Sequence, residues 1–370
     1  MAHTGKQLFT TLDAGGELTL ELDEKTFPEP TGNQVLVKME AAPINPSDLA
    51  ILTGAADFDH ADYSTGKVVA KMPEPFLSGQ KARHGQKLPA GNEGAGTVVA
   101  TGDGDAAKAL MGQRVACVPG TAFSQYAIAD AMMCLPLGDH SAEEGASSFV
   151  NPMTALGFVE NAKMDGAKAI LHTVGASNLG QMLNRICLED GMGLVNIVRK
   201  DEQMKLLKDQ GATHVVNSSD PDFMEQLKAA IDETDAYYGF DPIGGGQMVD
   251  TCFKAMEQVA VAKMTEYSRY GSNQQKRMFI YGRLDFGPTT LTPSYGFGWT
   301  LSGWLLTPFL QNAGMETVMR MRQRVLENLT TTFASSYKTK VDLEGMLTKD
   351  AITDYRQMKT GEKYLVTPWG

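Results

Sequence analysis

Ala169-Ile-Leu-His-Thr-Val-Gly-Ala-Ser-Asn-Leu-Gly-Gln181 runs from an apolar, strand-like start through a turn bracketed by Gly175 and Gly180, then straight into a helix-forming sequence. A pyrophosphate approaches the backbone closely only where side chains are small. A helix N-terminus meets it with unpaired N–H groups and the positive end of the helix dipole. Gly175 suits the turn, and Gly180 lets helix and strand pack closely. The central glycine of a GxGxxG pattern is replaced, and Asn178 is among the few residues that tolerate a left-handed backbone. Roughly 20 residues on, at the end of the next strand, stand Arg199 and Lys200. An acid there would accept from a ribose 2′-OH and favour NAD. Two cations pair instead with a 2′-phosphate, so NADP is the expected nucleotide. The competing reading is a plain βα turn followed by two solvated helix-start cations, and Asp201 beside them blurs the contrast.

Outward from this turn, strand and helix patterns alternate. Leu179–Glu189 reads as a helix, Leu194–Val198 as a strand, Asp201–Gly211 as a helix and His214–Val216 as a short strand. Phe223–Ile231 and Met248–Met256 follow as helices, with strands at Ala236–Phe240 and Met278–Tyr281. Short connections between alternating β and α segments imply a parallel sheet covered by helices on both faces. The first 150 residues differ: Glu17–Leu22 and Gln34–Glu40 alternate apolar and polar residues, and Thr97–Ala100 and Gln113–Val118 are further β-prone runs. Between them Asp57–Ala90 has no clear period and reads as a long surface loop. Ser141-Ala-Glu-Glu144 is a capped helix start, Glu316–Leu329 an amphipathic helix and Tyr364–Val366 a final strand.

With 42% hydrophobic and 21% charged residues among 370, disorder and fibrous structure are excluded for the chain as a whole. A net charge of −11 repels phosphate backbones, which argues against nucleic acid and anionic membranes as partners. Cys117, Cys134, Cys187 and Cys252 form no CxxC pair, a usage that suits a reducing compartment. The opening residues lack the plan of a signal peptide, and no apolar run reaches bilayer-spanning length; a cytoplasmic location is the expectation.

Several further segments carry a resemblance. Ala42-Pro-Ile-Asn-Pro-Ser-Asp48 looks like a substrate-cleft turn, Gly91-Asn-Glu-Gly-Ala-Gly96 resembles a GHExxG segment, and Val115-Ala-Cys-Val-Pro-Gly120 with Ser124-Gln-Tyr-Ala127 looks like the turn closing a catalytic barrel. Asn151-Pro-Met-Thr-Ala155, Leu207-Lys-Asp-Gln-Gly-Ala-Thr-His-Val215, Phe240-Asp-Pro-Ile-Gly-Gly245 and Ile280-Tyr-Gly282 follow in the same order. In this order they resemble the medium-chain dehydrogenase/reductase superfamily, closest to its zinc-independent quinone oxidoreductase and enoyl reductase branches. The resemblance implies an α/β chain: a GroES-like β-rich catalytic domain over 1–148 with an insertion at about 57–90, a Rossmann domain over 149–307, and a return to the catalytic domain over 308–370.

It also implies site roles. Thr173, Gly175, Ala176, Ser177, Asn178, Leu179 and Gly180 would hold the pyrophosphate of NADPH, Arg199 and Lys200 its 2′-phosphate with Lys363, and Tyr281-Gly282 would flank the nicotinamide half. Asn45 and Asn92 stand where zinc alcohol dehydrogenases carry a cysteine and a histidine, so no catalytic metal is expected. The acidic cluster Asp57, Asp59, His60 and Asp62 reads as solvated. Without a metal, negative charge developing on an acceptor oxygen needs a hydrogen-bond or proton donor. Asn45 and Tyr63 are the candidates, with Thr154 orienting the nicotinamide or a water; the alternative for Asn45 is a turn-forming residue before proline. His172 reads as packed. Stretches 57–90 and 259–276 exceed the family plan and read either as a substrate lid or as packing at a dimer surface. The expected activity is NADPH-dependent reduction of a quinone or related activated carbonyl, a small-molecule electron acceptor, by a homodimer. Reduction of an activated C=C bond is the alternative enzyme reading, and a non-catalytic NADPH-binding sensor the alternative of another class.

Overall fold

Gln34–Pro43 is the central strand of the first unit; Val35, Val37 and Met39 pack into its core, and Leu36 between them is buried as well. In a computed structural model describing residues 2–361 and 363–370, this unit comprises Met1–Val150 and Val325–Gly370. Gln34–Pro43 pairs with Gly94–Thr101, Tyr126–Asp130 and the C-terminal strand Tyr364–Val366, so the end of the chain is stitched beside its first hundred residues. A second, five-stranded sheet has the order Asp57–Ser64, Lys67–Lys71, Glu17–Phe27, His3–Leu12, Lys87–Pro89.

That order corrects the reading of 57–90 as a surface loop. The stretch forms a hairpin on one edge of the sheet, a short helix Glu74–Leu77, a 3-10 turn Ser78–Arg83, and a strand on the other edge. Phe58, Val68, Ala70 and Met72 bury themselves against the core, while the polar residues between them face outward. Phe58, Ala61 and Tyr63 are unevenly spaced, Val68, Val69 and Ala70 are consecutive, and the register slips between Asp57 and Asp62, so no period of two shows in the sequence.

The second unit, Asn151–Arg324, is a six-stranded parallel sheet. Its strands are β1 (Ala169–His172), β2 (Gly193–Val198), β3 (His214–Asn217), β4 (Tyr238–Asp241), β5 (Lys276–Ile280) and β6 (Trp299–Gly303), in the order β3-β2-β1-β4-β5-β6. The helices are α1 (Val150–Met164), α2 (Asn178–Asp190), α3 (Asp201–Asp209), α4 (Phe223–Thr234), α5 (Met248–Ala262), α6 (Leu306–Ala313) and α7 (Met315–Glu327). This is the doubly wound order, in which the winding direction reverses between β1 and β4; ligands bind at the carboxyl ends of the strands at such a reversal. The unit runs past the expected boundary at 307. Arg320 on α7 pairs with Glu160 (2.6 Å), and Arg324 with Glu189 and Asp190 (both 2.8 Å), which fastens α7 to α1 and α2. No described helix is long and apolar enough to cross a membrane.

Candidate active site

The turn after β1 is built as its glycines require. A Cβ on Gly180 would lie 2.2 Å from the carbonyl oxygen of Gly175, and one on Gly175 would lie 2.7 Å from Asn196 Oδ1 on β2. Both positions therefore exclude any side chain. Ser177 caps α2, its Oγ accepting from the Gly180 amide at 3.0 Å. The first turn of a helix holds amides that its own carbonyls do not satisfy, which suits a pyrophosphate. The left-handed backbone allowed for Asn178 is not used: Ser177 is extended (φ −62°, ψ 163°), and Asn178 is the first residue of α2. A serine that caps the helix takes over the role of the central glycine.

Arg199 and Lys200 are exposed at the end of β2, with no partner for either charged group among the described residues. Asp201 does not oppose them freely, because its carboxylate accepts from Asn217 Nδ2 at 2.9 Å. The other residues expected at the cofactor have partners of their own within the unit. Thr173 Oγ1 donates to Asp241 at 2.5 Å, so that hydroxyl is committed to a buried carboxylate whose pKa burial raises. The Tyr281 hydroxyl lies 2.7 Å from His172 Nε2, inside an aromatic group with Phe158, and burial raises its pKa far above the usual range. His172 is fully buried, and burial pushes its pKa down to about 3, so the ring is neutral. Gly282 packs against the backbone of Pro242, and Thr154 is a buried residue of α1.

A second polar group lies within the first unit. Gly91, with φ +102° and no room for a Cβ beside Phe123 N, turns the chain so that Glu93 enters the interior while Asn92 stays half-buried. Glu93 Oε1 accepts from Asn45 Nδ2, and Oε2 accepts from the amides of Phe149 and Val150, each at 2.9 Å. Asp48 accepts from the amides of Asn45 and Asn92, both at 2.8 Å. Burial pushes Asp48 up to about 7 against those two bonds, and raises Glu93 as well. Asn45 Oδ1 is buried without a partner. Lys363 faces this pair of acids and donates from Nζ to Ser147 Oγ at 2.7 Å.

Known proteins share this architecture. Residues 31–139 match the alcohol dehydrogenase GroES-like domain. The fold of a Mesorhizobium loti protein, a candidate NADPH:quinone reductase, superposes with a TM-score of 0.74 at 28% identity, over 99% of this chain and 98% of that one. The chain belongs to the medium-chain dehydrogenase/reductase superfamily. Within this superfamily it falls in the quinone oxidoreductase-like branch. A mycobacterial protein solved with NADPH shares the fold at a TM-score of 0.68 and 19% identity, over 98% of this chain and 100% of that one. The mitochondrial enoyl-[acyl-carrier-protein] reductase of Xenopus tropicalis is 28% identical over 207 residues, 53% of this chain and 51% of the frog protein. The chain thus matches about half the length of such reductases.

In this superfamily member Asn45 and Asn92 serve as hydrogen-bonding residues: Asn92 Nδ2 donates to Ser47 Oγ at 2.9 Å. Among the described residues no three His, Cys, Asp or Glu side chains gather as a metal site, the Asp57–Asp62 cluster included. There His60 Nδ1 and Asp57 form an exposed local pair. Two of the expected site residues have these partners in the structure. Tyr63 donates to the Phe58 carbonyl at 3.0 Å on its hairpin and has Arg356 and Asp59 as electrostatic neighbours, none of them in the Asn45 group. Lys363 has Ser147, Glu93 and Asp48 as partners in the first unit, where a ligand of the 2′-phosphate was expected. Asp48, Glu93, Ser147 and Tyr337 were missed as site residues. The first two sit inside the quoted motifs, but Ser147 and Tyr337 are 190 residues apart and carry no local signal.

Proposed function

We propose that the protein is an NADPH-dependent reductase of quinones or related activated carbonyl compounds. The observation that carries the cofactor half is the exposed Arg199–Lys200 pair beside the glycine-built turn, with the neighbouring Asp201 carboxylate drawn off to Asn217. The turn suits a pyrophosphate because Gly175 and Gly180, where a Cβ would strike Asn196 or the turn's own carbonyls, hold it tight against the first amides of α2. When bound, NADPH supplies the hydride. The residues of this chain hold the nucleotide at its phosphates, keep His172 neutral behind Tyr281, and maintain the buried Asn45–Glu93–Asp48 group. The similarity to an enoyl reductase favours a second reading, reduction of an activated C=C bond.

Replacing Arg199 and Lys200 together by alanine is expected to weaken NADPH binding at least about tenfold while leaving NADH binding unchanged, because only the 2′-phosphate loses charge-assisted contacts. Equal weakening for both nucleotides, or none, removes the 2′-phosphate assignment. NADPH oxidation with 1,4-benzoquinone and with a trans-2-enone, each with product identification, separates the two readings. Hydroquinone alone supports the first and a saturated ketone alone the second. NADPH binding without oxidation of any acceptor would make the protein a sensor.

A further inference from the structure

Within the second unit, the stretch 259–276 forms one wall of a cavity of about 600 Å³, and the loop 293–297 forms the other. Glu257 on α5 is its floor, and two left-handed glycines close over that carboxylate. A Cβ on Gly271 (φ +82°) would lie 2.4 Å from Glu257 Oε1 and 2.9 Å from Gly296 Cα; one on Gly296 (φ +66°) would lie 2.9 Å from the same oxygen. The two backbones meet there only because neither residue carries a side chain. Tyr270 precedes the first glycine and Phe297 follows the second, so both rings stand at the rim, their centroids 6.2 Å apart at an angle of 71°. They are 58% and 82% exposed, and Val261 on the α5 wall is 45% exposed. Large apolar side chains left open together around a concavity mark a place where something binds.

The uncommitted charge of the cavity is a cation. Arg269 Cζ lies 4.7 Å from the Tyr270 ring centroid, and the guanidinium has no carboxylate partner among the described residues. The main-chain amides of Ser294, Gly296 and Phe297 likewise meet no acceptor among the described residues. Glu257 is already matched, by Lys276 Nζ at 2.6 Å and by the amide and hydroxyl of Ser272. A free guanidinium beside two ring faces suits a ligand that is flat, aromatic and anionic: its ring stacks on the rim and its carboxylate takes the two-pronged arginine. A cationic ligand would meet Arg269 with no free carboxylate to offset it.

We propose that this cavity binds a small aromatic carboxylate, with Tyr270 and Phe297 on its ring and Arg269 on its anion. The volume is that of a small-molecule site, typically about 300–1,000 Å³. It lies at the other end of the parallel sheet from the nucleotide turn. The turn follows the carboxyl end of β1, whereas the residues of the cavity end α5 and lead into the amino ends of β5 and β6. The proposal therefore does not depend on the reductase reading.

The test uses the whole chain, with 2-naphthoate as the probe and saturation-transfer NMR as the readout. Wild type is expected to bind 2-naphthoate with a Kd of about 1 mM or tighter, with and without saturating NADPH alike. R269Q is expected to raise that Kd about tenfold, because the carboxylate loses a charge-assisted pair, and F297A to raise it by a similar factor. Both side chains are exposed, so neither substitution threatens folding. The uncharged 2-naphthamide is expected to bind wild type about tenfold more weakly and to be indifferent to R269Q. No binding of 2-naphthoate up to about 10 mM, displacement by NADPH, or equal affinity in wild type and R269Q overturns the assignment. Sedimentation of wild type and F297A adds a second check. A dimer that F297A dissociates would make the rim a contact between copies of the chain and overturn the ligand site, whereas an unchanged mass supports it. No turnover is read at any step, so a failure of the reductase reading and a failure of this site remain distinguishable.

Discussion

Lys276→Met is expected to destabilise the second unit by about 3–5 kcal/mol, because it removes one partner of a buried ion pair and strands the other. Lys276 is fully buried at the start of β5, and its Nζ lies 2.6 Å from Glu257 on α5, itself 8% exposed. The same ammonium donates to Ser272 Oγ (3.1 Å) and the Gln274 carbonyl (2.7 Å), while Ser272 donates from its amide and hydroxyl to Glu257. Five polar groups are thereby satisfied at the base of the stretch 259–276. Burial alone would raise the Glu257 pKa, but the bonds from Lys276 and Ser272 outweigh it and the net shift is downward. A depressed carboxylate contributes stability above its ordinary value of 4.5 and loses it as pH falls through the lowered value. Denaturant unfolding at pH 7 and at pH 3 measures both effects: wild type should lose more stability between them than Lys276→Met. Wild-type stability in the variant at pH 7 would refute the account.

Gly180→Ala is expected to cost about 3 kcal/mol and to abolish NADPH binding, although alanine is the better helix former. The new methyl would stand 2.2 Å from Gly175 O and 2.8 Å from Val174 O, both main-chain atoms that cannot rotate away. Relief requires the turn to move off α2, which takes the helix amides away from the pyrophosphate. Gly79→Ala is the control, since its Cβ would meet nothing within 4 Å and it should change stability by less than about 0.5 kcal/mol. Unchanged nucleotide affinity in Gly180→Ala would mean that the phosphates bind elsewhere.

The nucleotide half was the more legible part of the chain. The strands and helices from Ala169 to Ile280 show local periods, whereas Trp299–Gly303 and Leu306–Ala313 were not among the expected elements, and Arg199 and Lys200 follow the turn by adjacency along one βαβ segment. The hairpin Asp57–Lys71 was not legible, because its strands are half-polar and gain their pattern only from the sheet edge they join. The hydroxyls of Thr173 and Tyr281 turn inward to Asp241 and His172, a choice made by burial rather than by sequence neighbours.

Read alone, the sequence determined the βα alternation, the glycine-built turn and the cationic pair, all properties of residues within a few positions of one another. Tertiary structure alone decided the polar group of the first unit. Asn45 meets Glu93 across 48 residues, and Lys363 meets Ser147 across 216, because Tyr364–Val366 pairs with Gln34–Pro43 and brings the end of the chain beside its beginning. Once enclosed there, an acid that loses its water is raised and a lysine that loses its water is lowered, and neither shift has a signature in the order of the residues.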